Sequence, residues 1–270
     1  MLLALDVGNT QLKCALFRER VLLHRLRTAT VPAAGAAQLE QLFLGWLQQQ
    51  GVSSAQIDAA IIASVVPQLT PAIEAALRNA FSVQALVVRA ELDTGITLRG
   101  PDPRELGADR LVNGAAAWAE LQLARAQGGP ASSSIVVDLG TATKLDCVSA
   151  QGEFLGGVIA PGVSVSLDAL VARAARLRAV ELRAPERVLG RSTIECVQSG
   201  LLHGHASLVD GMVSRLRREL SGDPGGGAEC QVIATGGYAA LIAPLTETLR
   251  RVEPDLTLHG LRTIHERNPR

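Results

Sequence analysis

Three short stretches of this chain combine residue types that grip phosphate or activate a hydroxyl. The first is Asp6-Val-Gly-Asn-Thr-Gln-Leu-Lys13. A turn between two strands aims backbone N–H groups in one direction, and Gly8 lets the main chain approach a ligand closely. Asn9 and Thr10 add hydrogen bonds for phosphate oxygens, and Lys13 adds a point charge. Asp6, at the strand end, is a candidate to hold magnesium or its water beside phosphates. A plain hairpin with polar turn residues would look the same, so this stretch alone does not decide. The second stretch, Asp138-Leu-Gly-Thr-Ala-Thr143 followed by Lys144, repeats the equipment with more hydroxyls. Two such turns acting together clamp a polyphosphate as neither does alone. The third, Gly107-Ala-Asp-Arg110, opens a helix. Asp109 can accept a proton from a hydroxyl there, and Arg110 can hold an anionic group with two bonds. Equally, Asp109 can merely complement the helix dipole.

These stretches need elements to position them. Residues 2–6 and 12–17 read as strands around the first turn, and 21–30 are a candidate third strand. Apolar residues at helical spacing predict helices over 38–50, 71–80 and 111–126, with strands at 59–66 and 83–88 and a Gly/Pro-containing loop over 93–106. After a polar break at 127–134 the pattern restarts. Strands at 134–138, 145–148 and 156–160 precede helices at 164–178 and 192–220. A Gly-rich stretch at 221–229 reads as an exposed linker, 231–234 as a strand and 238–251 as a helix. Alternating strands and helices give an α/β chain. Asp138 falls 132 residues after Asp6, and both of the chain's lysines, Lys13 and Lys144, follow an Asp-x-Gly turn. This internal repeat suggests two similar halves, 1–118 and 119–270. There is no Walker A or Gly-x-Gly-x-x-Gly motif, which argues against a P-loop or dinucleotide fold. Thr235-Gly-Gly237, between strand and helix, could pass near a nucleotide or simply pack tightly.

The 270 residues allow one large or two ordinary domains. Hydrophobic residues make up 47%, and acids balance bases at 26 each, as in a soluble globular protein without a field for nucleic acid or anionic membrane. No run reaches the length of a membrane span, and the acid at position 6 follows no basic leader, so a cytoplasmic setting is expected. The four cysteines are dispersed, fitting reduced thiols. Arg215, Arg217 and Arg218 read as a solvated helix face. His203 and His205, two apart on a helix, point to different sides. Direct nucleic-acid binding and metal binding by the histidines are not expected.

The ordered set resembles the type III pantothenate kinases, also called the Bvg accessory factor family. It comprises Asp6-x-Gly-Asn-Thr-x-x-Lys13, Gly107-Ala-Asp-Arg110, Asp138-x-Gly-Thr-Ala-Thr143 and Gly156-Gly-x-Ile-x-Pro-Gly162. It continues through Gly190-Arg-Ser-Thr193 and Gln198-Ser-Gly200 to Thr235-Gly-Gly237, nearly the whole chain. The resemblance implies two RNase H-like domains of the actin/hexokinase/Hsp70 superfold around a central cleft, and a homodimer. It implies ATP-dependent phosphorylation of pantothenate, with magnesium and a monovalent cation, potassium or ammonium. Carried over by position, Asp6, Val7, Gly8, Asn9, Thr10, Gln11, Leu12, Lys13 and Thr141 would bind ATP. Gly107, Ala108, Asp109, Arg110 and Thr193 would contact pantothenate, with Asp109 as the base. Asp138 would help hold the monovalent cation. The chain departs from the pattern twice: Gly100 stands where members often carry Tyr, and Lys144 where they commonly carry Thr. A weak or inactive relative working through a protein partner is the alternative these departures permit. A sugar or acetate kinase of the same superfold is another.

Overall fold

The computed structural model describes residues 1–100, 102, 105–174, 177–222 and 229–269. Among them the chain forms two units, one of Met1–Gly95, Pro101–Ala116 and Leu256–Arg270, the other of Ile96–Gly100 and Ala117–Asp255.

In the first unit β1 (Leu2–Val7), β2 (Gln11–Arg18) and β3 (Val21–Ala29) run as an antiparallel meander. After α1 (Ala36–Gln49), β4 (Ala59–Ser64) pairs parallel to β1; α2 (Thr70–Phe81) then leads to the short β5 (Leu86–Val87), giving the order β3-β2-β1-β4-β5. β1 is buried along its whole length, as expected of a strand covered on both faces. Leu3, Leu5 and Val7 share one face with Leu12, Cys14 and Leu16, and this face packs on Phe43 and Trp46 of α1 and Ile73 and Leu77 of α2. Pro71, in the first turn of α2, has no N–H to leave unsatisfied there.

In the second unit β7 (Ser132–Leu139), β8 (Ala142–Val148) and β9 (Glu153–Pro161) repeat the meander, and β10 (Glu229–Thr235) pairs parallel to β7. With β6 (Thr97–Leu98) on the edge the order is β10-β7-β8-β9-β6. The internal repeat read from the two Asp-x-Gly turns is thus a repeat of topology. α4 (Val163–Arg173) and α5 (Thr193–Gly222) cover the face carrying Ile135, Val137, Leu139, Leu145 and Cys147. α3 (Ala108–Ala126) begins in the first unit and ends in the second.

Three expectations change. The helix expected over 238–251 shrinks to α6 (Ala239–Ile242) and one 3-10 turn. Pro244 cannot donate to a continuing helix, and Asp210 of α5 instead accepts the N–H groups of Glu247 and Thr248, both at 2.9 Å. The loop expected over 93–106 contains the edge strand β6. A last helix, α7 (Leu256–Arg267), lies beyond the elements read from the sequence. It packs on β1, β2 and β4, with His259 edge-on to Phe17 and the Thr257 hydroxyl donating to Asn113 Oδ1 at 2.8 Å. The linker read over 221–229 falls, at 223–228, outside the described residues.

Arg215, Arg217 and Arg218 are exposed on α5. His205 is buried between the carbonyls of Leu201 and Pro161, a core histidine with both ring nitrogens engaged. Among the described residues no helix is long and apolar enough to cross a membrane.

All four cysteines are free thiols. Burial, reinforced by the charge of Asp6, pushes the Cys14 thiol far up, and burial pushes Cys147 up to about 12. Only thiolate reacts readily, and Cys196 is exposed. Alkylation of the folded protein at mildly alkaline pH is therefore expected to modify Cys196 first and to spare Cys14 and Cys147 until denaturant is added. Peptide mass mapping checks this, and early modification of Cys14 would contradict the packing of β2.

Candidate active site

The first turn is set by its strands. Asp6 and Lys13 face each other across β1 and β2, and Lys13 Nζ lies 3.0 Å from Asp6 Oδ2. Asp6 is 7% exposed, whereas Asn9 and Thr10 at the tip are exposed. The Gly8 N–H donates to the Gln11 carbonyl at 3.0 Å. Thr30, just past β3, closes the turn: its hydroxyl donates to the Gly8 carbonyl at 2.6 Å and its N–H to the Thr10 carbonyl at 3.0 Å. Thr30 was not among the residues singled out from sequence. The only signal for it was a hydroxyl residue at the end of the third strand.

The acid-bearing motif belongs to the same unit. Gly107 precedes α3, and its carbonyl accepts the N–H of Leu111 at 3.1 Å. Asp109 sits in the first turn, partly buried, and its Oδ1 accepts the Arg110 N–H at 2.9 Å. A methyl group on Gly107 would lie 2.8 Å from that same oxygen, so glycine is what leaves room for the carboxylate. The same methyl would lie 3.8 Å from Val65 Cγ1, and the Val65 N–H donates to the Val7 carbonyl at 3.0 Å. Val65, bonded to the end of β1, thus lies near Gly107, at the carboxyl ends of β1 and β4. That is where open α/β sheets hold ligands.

The second turn is built alike in its own unit. Asp138 faces Lys144 across β7 and β8, and Lys144 Nζ lies 2.8 Å from Asp138 Oδ2. The connection is one residue shorter than in the first turn, yet acid and lysine keep the same cross-strand register. Thr141 is exposed at the tip, and its carbonyl accepts the Gly162 N–H at 3.1 Å, just before α4. Gly236 sits against Asp138, at φ +95°. Thr235 pairs with Asp138 in the β10–β7 register, and the Tyr238 N–H donates to the Leu139 carbonyl at 2.9 Å. The Thr235-Gly-Gly237 turn is thus tied to the end of β7.

Thr193 is the exposed first residue of α5. The Ser192 hydroxyl accepts the N–H of Glu195 at 3.2 Å, and the Glu195 carboxylate accepts that of Arg191 at 2.7 Å, which fixes this helix start. Gly100 follows β6 on the surface with open space about its Cα. The neighbouring Arg99 pairs with Glu153 at 2.8 Å.

Comparison with known proteins carries the reading further. The sequence model of the family described as type III pantothenate kinase matches residues 2–215. A type III pantothenate kinase of Moorella thermoacetica is 41% identical over 268 residues, 99% of this chain and 100% of that protein. Among solved structures, a Baf family protein from Campylobacter jejuni superimposes with TM-score 0.58 at 17% identity, covering 99% of this chain and 98% of that one. Component A of (R)-2-hydroxyglutaryl-CoA dehydratase from Acidaminococcus fermentans gives TM-score 0.51 at 12% identity, over 97% and 95%. At such identities these two likenesses speak to the fold: the doubled RNase H-like arrangement of the actin/hexokinase/Hsp70 superfold. Sequence likeness that strong, running almost from end to end, speaks to kinship as well, and the chain belongs to the type III pantothenate kinase family.

Proposed function

We propose that this chain transfers the γ-phosphoryl group of ATP to the primary hydroxyl of pantothenate, giving 4′-phosphopantothenate, the first step of coenzyme A biosynthesis. One structural observation carries the reading beyond family membership. Within the first unit the acid-bearing 107–110 motif lies near Val65, whose N–H donates to the Val7 carbonyl in the Asp6–Lys13 turn. A proton acceptor and a phosphate-gripping turn in one neighbourhood are the two parts such a reaction needs.

Phosphoryl transfer depends mainly on positioning and on neutralising charge. Asp6, Val7, Gly8, Asn9, Thr10, Gln11, Leu12 and Lys13 bind the phosphates, with Thr141 as a further ATP contact. Lys13, paired with Asp6 at 3.0 Å, would offer its charge to a phosphate oxygen, and Asp6 would hold magnesium or its water. The metal, when bound, neutralises charge on the phosphates. Gly107, Ala108 and Thr193 line pantothenate, Arg110 pairs with its carboxylate, and Asp109 takes the hydroxyl proton late in the transfer. Family membership supports a homodimer working in the cytoplasm.

A monovalent cation at Asp138 was part of the same expectation, and the residues present do not fit it. The ammonium of Lys144 already lies 2.8 Å from Asp138 Oδ2. The reaction as described uses no such ion.

Purified protein given ATP, magnesium and pantothenate is expected to form a product heavier by one phosphoryl group, detected by mass spectrometry, together with ADP. Absence of that product with intact ATP would refute the reading.

A further inference from the structure

We infer that Lys144 supplies, from within the chain, the positive charge that a monovalent cation would otherwise bring to the second turn, so that catalysis needs neither potassium nor ammonium. This rests on the kinase reading above.

Five observations support it. Lys144 is fixed by strand register, directly across β8 and β7 from Asp138. The pair is well sheltered, its side chains 12% and 14% exposed, so solvent screens it little. Gly236 lies close to the other carboxylate oxygen: a methyl group there would be 2.6 Å from Asp138 Oδ1. A potassium ion on this carboxylate would sit beside an ammonium of like charge. Asp146, fully buried and two residues along β8, shares the sheet face of Lys144, so a permanent cation there also offsets a second acid. Lastly, the arrangement duplicates the other turn, where Lys13 meets Asp6 at the same register. Magnesium at Asp6 would be a different case, because the substrate's phosphates would supply part of its coordination. A monovalent ion must be held by the protein, and here its place is filled.

The test follows ATP consumption with pantothenate and magnesium at constant ionic strength, with potassium, ammonium or choline chloride as bulk salt. The native rate is expected to be equal in all three. K144T, which strips Asp138 of its ammonium, is expected to lose about ten- to a hundredfold in choline, the size of one charge-assisted contact. It should recover in potassium or ammonium, while K144R should stay indifferent to the salt. A native enzyme that stalls in choline and revives in potassium overturns the inference, and so does a K144T variant unaffected by salt. If no protein turns over pantothenate in any salt, the kinase reading fails instead, and melting temperatures decide the role of Lys144. Potassium in place of choline should then raise the melting temperature of K144T alone. A potassium shift in the native chain, or none in K144T, overturns the inference.

Discussion

Asp109→Asn is expected to lower turnover with pantothenate by about 10²–10⁴-fold, the range for a lost general base. The loss should appear in kcat. Asparagine keeps an oxygen to accept the Arg110 N–H now made at 2.9 Å, so the start of α3 stays intact. The ATP-binding residues assigned to the first turn are untouched, so the KM for ATP should hold within about threefold, a shift under 1 kcal/mol. Steady-state kinetics with a melting curve separate the cases. Full activity in Asp109→Asn removes the carboxylate from its role. A large drop in melting temperature would instead mean that the acid serves the helix.

The second large effect is on stability. Gly236→Ala places a methyl group 2.6 Å from the Leu139 carbonyl and from Asp138 Oδ1, at a φ of +95° that an L side chain rarely adopts. Backbone cannot yield as a flexible side chain can, so a cost of about 2–4 kcal/mol is expected. In a chain of this size that is a fall of roughly 5–15 °C in melting temperature. Gly211→Ala is the control. Gly211 lies within α5 with nothing inside 4 Å of an added methyl, so the change should raise stability by about 0.5–1 kcal/mol. Equal melting temperatures for the two variants would show that the Gly236 turn is not the close contact described.

Both turns were legible in the sequence because their determinants are local. Asp-x-Gly with a lysine on the next strand is one hairpin, and strand alternation carries the register. The pairing of Lys144 with Asp138 needed one further step, the length of the turn, which the residue types alone do not fix. The extent of α6 was misread because apolar spacing continued through 238–251, while the N–H groups there are taken by Asp210, distant in sequence. β6 was hidden because two residues become a strand only through a partner, here Glu153 and Phe154. The assignment of Leu256–Arg270 to the first unit rests on contacts of long sequence separation. Nothing in the composition of that segment signals where it docks.

The placement of α7 has a consequence for synthesis. The sheet whose strands leave the ribosome first is the one that Leu256–Arg267 covers, and this segment emerges after every residue of the second unit. The first-made sheet therefore waits with Phe17 and its neighbours uncapped while the later-made unit is free to close. A nascent chain stalled before residue 256 would offer that apolar strand face to chaperones, and its protease resistance would begin in the middle of the polypeptide.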